Sequence, residues 1–221
     1  MTLPAVELQT GAEPRHSVIW LHGLGADGHD FEPIVPELVG AQWPPLRFVF
    51  PHAPVRAVTI NGGARMRAWY DIAAVDIAAR QDETGVRESI AAVEALIARE
   101  IERGVPAAQV LLAGFSQGGA VVLAAGLRHA QRLAGIVALS TYLPIAPTTA
   151  AERSSANAAV PVFMGHGSHD PVVPQLLGTH SRDHLVALGV PVDWHSYPMA
   201  HQVCAEEIAD LRRWMGARLH A

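Results

Sequence analysis

The chain contains no lysine: all 16 of its basic residues are arginine. A lysine Schiff base and a lysine-bearing phosphate loop are thereby excluded. Cysteine is almost absent too. The one thiol, Cys204, has no partner for an internal disulfide, which fits a reducing compartment. Charged residues make up only 17% of the 221 and leave a formal charge of −5 without blocks of one sign, so the basic footprint of a nucleic-acid-binding protein is missing. Apolar runs are broken by Gly, Ser, Gln or Pro before they reach bilayer-spanning length. The opening residues 1–7 carry neither the basic nor the apolar region of a signal peptide. These absences predict a cytoplasmic protein with no nucleic-acid partner and no stable membrane insertion.

What remains is a chain that is 50% hydrophobic and long enough for one domain, 1–221, with a large core. Ser17–Leu21, Leu46–Phe50, Gly135–Ser140, Val160–Met164 and Val192–Tyr197 read as strands, as does the run before Gly114. Helical spacing appears over Phe31–Leu38, Val86–Ile101, Leu176–Leu188 and from Ala205 onward. Strands alternating with helices predict an α/β architecture, a mostly parallel central sheet flanked by helices on both faces. No insertion is long enough for a separate cap domain, so the active site is expected to be shallow and open. The segment 52–82 is long for a connection and carries Asn61-Gly62-Gly63 and Trp69-Tyr70-Asp71, which marks it as functional. A polar stretch from 141 to 159 reads as loop.

The most informative stretch is Gly114-Phe115-Ser116-Gln117-Gly118, which follows an apolar strand and opens an Ala/Val/Leu-rich helix. A nucleophile elbow needs this context, with serine on a tight strand-to-helix turn and glycines where side chains would collide. Such a serine requires a base, and the base an orienting acid, in the chain order Ser…Asp…His. Five histidines follow Asp170, the first of the candidate acids. His180 and His184 fall in a helix pattern, His195 inside a strand and His220 at the terminus. Only His201 lies in a strand-to-helix loop. Asp170 similarly follows a strand, whereas Asp183 and Asp210 are helical and Asp193 begins a strand. The expected triad is Ser116, Asp170 and His201.

The loop Gly23-Leu24-Gly25-Ala26-Asp27-Gly28 also satisfies the dinucleotide pattern G-x-G-x-x-G. That reading needs an acid about twenty residues on, at the end of the next strand. Arg47-Phe48-Val49-Phe50-Pro51-His52 has none. The loop is better used as half of an oxyanion hole, with the backbone N–H groups of Leu24 and Gln117 as donors. His166, His169 and Asp170 lack the further ligands of a metal site, and Cys204, opening the last helix, is far from any elbow. No cofactor and no metal are expected.

These residues resemble the bacterial carboxylesterases and acyl-protein thioesterases, the phospholipase/carboxylesterase group of the α/β-hydrolase superfamily. Trp20-Leu21-His22-Gly23-Leu24-Gly25-Ala26-Asp27 is similar to the family's oxyanion loop and Gly114–Gly119 to its elbow. His166-Gly167-Ser168-His169-Asp170-Pro171-Val172-Val173-Pro174 is similar to its acid loop, and His201 stands in the place of its base. Trp69-Tyr70-Asp71 and Leu139–Pro144 resemble the borders of its acyl site, so Trp69, Tyr142 and Val172 are the expected substrate contacts. Where the family commonly has Met-Pro-Ser before that tryptophan, this chain has Met66-Arg67-Ala68, a departure that bears on acyl preference. The resemblance implies an α/β-hydrolase fold and a serine carboxylesterase acting on short- to medium-chain esters. Its alternatives are an acyl-protein thioesterase as main role, activity on lysophospholipids, and a peptidase or a non-catalytic binding protein on the same fold. The implied partner is a small ester or thioester, an acylated protein or a lipid. An apolar rim around an open groove would also support a homodimer.

Overall fold

The computed structural model describes residues 3–73 and 81–219. Residues 74–80 of the long segment, and His220, lie outside them. A seven-stranded sheet forms the centre. Its strands are β1 (Ala5–Gln9), β2 (His16–Leu21), β3 (Leu46–Pro51), β6 (Val110–Phe115), β7 (Gly135–Leu139), β8 (Val162–Gly167) and β9 (Val192–Tyr197). Between β3 and β6 the chain makes a two-stranded antiparallel hairpin, β4 (Val55–Val58) and β5 (Ala64–Arg67). The order across the sheet is β1-β3-β2-β6-β7-β8-β9. β1 runs antiparallel to β3, and every other neighbouring pair is parallel.

The helices are α1 (Val35–Leu38), α2 (Glu83–Glu102), α3 (Gln117–Arg128), α4 (Ala146–Glu152), α5 (Gln175–Ala187) and α6 (Ala205–Leu219). Alternate residues of the inner strands feed two cores, one on each face of the sheet. Ile19, Leu21, Leu112, Ile136 and Met164 meet Val86, Val93 and Leu96 of α2 and the buried side of α3. Val18, Trp20, Phe48, Leu111 and Phe163 meet Leu38 of α1 and Leu211 and Met215 of α6. A polar knot pins α2 to the sheet. Glu100, fully buried, accepts from Ser17 Oγ at 2.9 Å, Arg47 at 2.8 Å and Arg103 at 3.0 Å.

Because the strand order reverses between β2 and β6, the loops leaving those two strands diverge and open a crevice at the carboxyl edge of the sheet. The register Leu21↔Gly114 places the residues following both strands side by side there. The polar stretch 141–159 is not all loop, since it contains α4, with Pro147 in its first turn. The predicted helix over Phe31–Leu38 is shorter than expected: a 3-10 turn, Glu32–Ile34, leads into the four residues of α1. The strand predicted at Val160–Met164 runs instead from Val162 to Gly167.

Candidate active site

The candidate site begins at the turn between β6 and α3. Ser116 has φ 53° and ψ −121°, on the side of φ that disfavours a side chain. Such a residue costs about 1–3 kcal/mol and persists only where its surroundings hold it. Here Ser116 N–H donates to Leu139 O at 2.8 Å, and its carbonyl accepts from Ala120 N at 3.1 Å and Thr141 Oγ1 at 2.7 Å. The glycines are sterically required. A Cβ at Gly114 would lie 2.5 Å from the backbone of Gly118, and one at Gly118 would run into the carbonyls of Leu21 and His22. The half-buried Ser116 side chain is thus carried at the mouth of the crevice.

Asp170 and His201 come from the loops after β8 and β9. The Asp170 side chain is fully buried; its Oδ1 accepts from Val172 N at 2.8 Å and Val173 N at 2.9 Å. Its Oδ2 accepts from His201 Nδ1 at 2.7 Å. That bond puts the ring proton on Nδ1 and leaves Nε2 as the basic nitrogen. The imidazole packs on Phe115, the residue before Ser116, with ring centroids 4.7 Å apart. The loops interlock, since His169 N–H donates to Met199 O at 3.1 Å. His166 braces them from below. Its Nε2 donates to Val173 O at 2.8 Å, and burial lowers its pKa, so it serves as a neutral support. His169 is exposed and turned toward Ser168.

The other histidines take different work. His195 pairs with Asp193 at 3.0 Å and Asp210 at 3.4 Å, while His180 and His184 line a cavity described below. Asp183 pairs with Arg182. Cys204 donates toward Glu206 at 3.4 Å, and burial raises its pKa, which disfavours the thiolate a nucleophile needs. Among the described residues no three His, Cys, Asp or Glu side chains gather as a metal site.

The loop after β2 lies against the elbow: a Cβ at Gly23 would stand 3.5 Å from Ser116 Cβ. His22 is buried, its Nε2 accepts from Ala53 N at 3.1 Å, and its Nδ1 therefore donates to Gly23 O at 2.7 Å. Burial lowers its pKa and keeps it neutral. Gly25 N–H donates to Arg67 O, Ala26 N–H to Gly23 O and Gly28 N–H to His52 Nδ1. These amides are committed to protein partners and lead into a four-residue helix, an arrangement unlike a diphosphate cradle. Leu24 stays half-buried beside the elbow, and Gln117, first residue of α3, has an amide with no carbonyl of its own helix to bond.

The three expected substrate contacts are placed very differently. Trp69 is fully buried, its indole N–H donating to His22 O at 2.9 Å, so its side chain supports the loop and shows no surface to a ligand. Val172 is 57% exposed on the acid loop. Tyr142 lines a cavity of about 330 Å³ with Leu143, Ala146, Leu177, His180 and His184. Its hydroxyl lies 2.7 Å from that of buried Tyr70, and burial pushes the Tyr142 phenol up to about 12. Thr141, bonded to the Ser116 carbonyl, ties this cavity wall to the elbow. Leu143 and Tyr70 belong to the two segments expected to border the site, whereas Leu177, on α5 and packed against the core, was not expected.

The phospholipase/carboxylesterase family profile matches residues 3–218. Acyl-protein thioesterase 1 of Neurospora crassa is 39% identical over 99% of this chain and 91% of its own length. The Yarrowia lipolytica protein of the same name is 39% identical over 96% of each chain. Among solved structures, Arabidopsis thaliana SOBER1 superposes with a TM-score of 0.88 at 31% identity, covering 93% of this chain and 99% of its own. Zea mays acyl-protein thioesterase 2 superposes with a TM-score of 0.86 at 28% identity, covering 98% and 99%. With the sheet order, the elbow and the match over almost its whole length in agreement, the chain belongs to the phospholipase/carboxylesterase family of α/β-hydrolase-fold serine hydrolases.

Proposed function

We propose that this protein is an acyl-protein thioesterase that also hydrolyses simple carboxylic esters through Ser116, His201 and Asp170. One arrangement carries the reading: an Asp170–His201 pair whose imidazole packs against Phe115, next to a serine held in an elbow. The names of the relatives favour the thioesterase role over the carboxylesterase role that the sequence motifs suggested first. His201 Nε2 takes the proton of Ser116 Oγ as that oxygen attacks the thioester carbonyl. The Leu24 and Gln117 N–H groups receive the developing oxyanion. Collapse expels the thiolate, which takes the proton from His201, and leaves an acyl-serine. Water, deprotonated by His201, then attacks the acyl carbon; the acid departs and Ser116 regains its proton. Asp170 holds the imidazole tautomer and balances the imidazolium charge throughout.

The cavity beside Tyr142, at the small end of ligand pockets, favours a second reading, a short- to medium-chain carboxylesterase. A series of thioesters and oxygen esters matched in acyl length separates the two. The thioesterase reading requires higher kcat/KM for thioesters, with a rise toward longer chains. Ser116→Ala should lower turnover of both by about 10⁶-fold and abolish labelling by a serine-directed phosphonate. Near-normal turnover in the purified variant would refute the assignment.

A further inference from the structure

Along its buried length α3 is built almost wholly from Gly, Ala, Val and Leu, yet it starts with a glutamine that is only 2% exposed. A buried amide is costly unless bonded, and this one is bonded at both ends. Gln117 Oε1 accepts from Trp69 N at 2.8 Å, and Nε2 donates to Tyr70 O at 2.7 Å. The side chain therefore grips the backbone of Trp69 and Tyr70, 48 and 47 residues away, and is buried from substrate. Trp69 passes the constraint on. Its carbonyl accepts from Ser89 Oγ of α2, and its indole N–H holds the carbonyl of His22. His22 completes the path, because its ring holds the carbonyl of Gly23. In a trans peptide the C=O and N–H point in opposite directions. Fixing Gly23 O therefore aims the N–H of Leu24.

The path begins and ends on the two groups assigned above as oxyanion donors: the backbone N–H of Gln117 and that of Leu24. We propose that the side-chain amide of Gln117 is a positioning residue, which sets the spacing of the two donors through Trp69 and His22. The proposal rests on the oxyanion assignment made under the proposed function. Without the amide bridge, α3 and the loop after β2 still pack together at Gly118 and Gly23, and Ala26 N–H still bonds Gly23 O, but the hydrogen-bonded path that ties the Leu24 peptide to the elbow is cut.

Saturation kinetics on one aryl ester test this with wild type, Gln117→Met, Trp69→Phe and the double variant. Methionine keeps the length of glutamine without its amide, and phenylalanine removes the indole N–H. Misplacing one donor should lower kcat by about 10- to 100-fold. KM should stay within about threefold, because the oxyanion forms only after binding. Since both substitutions cut one path, the double variant should lose no more than the worse single variant. A purely structural role would instead lower the amount of folded enzyme and leave kcat per titrated active site unchanged. Wild-type kcat in both single variants, losses that multiply in the double variant, or an effect confined to KM would overturn the proposal. Should Gln117→Met not fold, Trp69→Phe decides alone by the same kcat and KM criteria. A wild-type protein inert toward the ester would overturn the hydrolase reading itself, and the proposal with it.

Discussion

Asp170→Asn is the sharpest perturbation of the proposed triad, because the structure dictates how the new amide must sit. The carboxylate is fully buried, and its two oxygens do different jobs: Oδ1 takes the Val172 and Val173 N–H groups, Oδ2 the His201 Nδ1–H. Asparagine has one oxygen, and that oxygen must face the two backbone donors, since an NH2 there would oppose two N–H groups. Its NH2 then faces His201 Nδ1, which becomes an acceptor. The ring proton moves to Nε2, the atom that must receive the Ser116 proton, and the imidazolium loses its counter-charge. A wrong tautomer of this kind lowers kcat by about 10⁴-fold, equivalent to about 5.5 kcal/mol of barrier. The fold should hardly notice, because the two backbone N–H bonds survive. Asp170→Ala, by contrast, strands both N–H groups and should cost stability as well, about 1–3 kcal/mol for each. The assay is kcat for an aryl ester per titrated serine, beside urea unfolding of each variant. An Asp170→Asn enzyme within tenfold of wild type would refute the tautomer argument.

Two further outcomes concern stability. Glu100→Ala leaves the Arg47 guanidinium buried under α2 without its main counter-charge, and urea unfolding should report a loss of about 3–5 kcal/mol. Glu207, fully buried in the first turn of α6 against Gly165, has its pKa pushed up to about 8, first by burial and then by Asp210. Because the folded value exceeds the ordinary 4.5, its contribution to stability is fully present below pH 4.5 and is lost as pH rises toward 8. Glu207→Gln should therefore gain on wild type progressively across that window, read as urea midpoints from pH 5 to 9; a constant difference would refute it.

The parts of the molecule most legible in its sequence are those where a long apolar strand ends abruptly in a loop. Ser116 and Asp170 follow such ends and His201 follows the more polar β9, and strand-end loops of a parallel sheet converge without further instruction. Less visible was β1, whose five residues alternate Val6 and Leu8 with polar neighbours but stay half-exposed at a sheet edge. The hairpin around Asn61-Gly62-Gly63 carried an Asn-Gly turn signal inside a segment otherwise broken by proline and glycine. The helix α4 is weakly apolar and leans on tertiary contacts: Glu152 bonds Arg87 of α2 and Arg128 of α3. Trp69 was misjudged for the same reason. Its loop borders the site, but the indole turns inward, its N–H donating to His22 O, while Gln117 holds the Trp69 backbone N–H; both partners are distant in sequence.

The strand order has a consequence for how this molecule fails. The serine directly follows β6, in the middle of the sheet and wrapped on both faces, whereas its proposed base follows β9, an edge strand with half-exposed residues along most of its length. Edges open before centres. The Asp170–His201 bond ties the loops of β8 and β9 to each other, so the two leave as a unit when that margin frays, and the nucleophile stays behind in an intact core. Silence of the chemistry is then an early symptom of partial opening, reached while most of the protein is still folded.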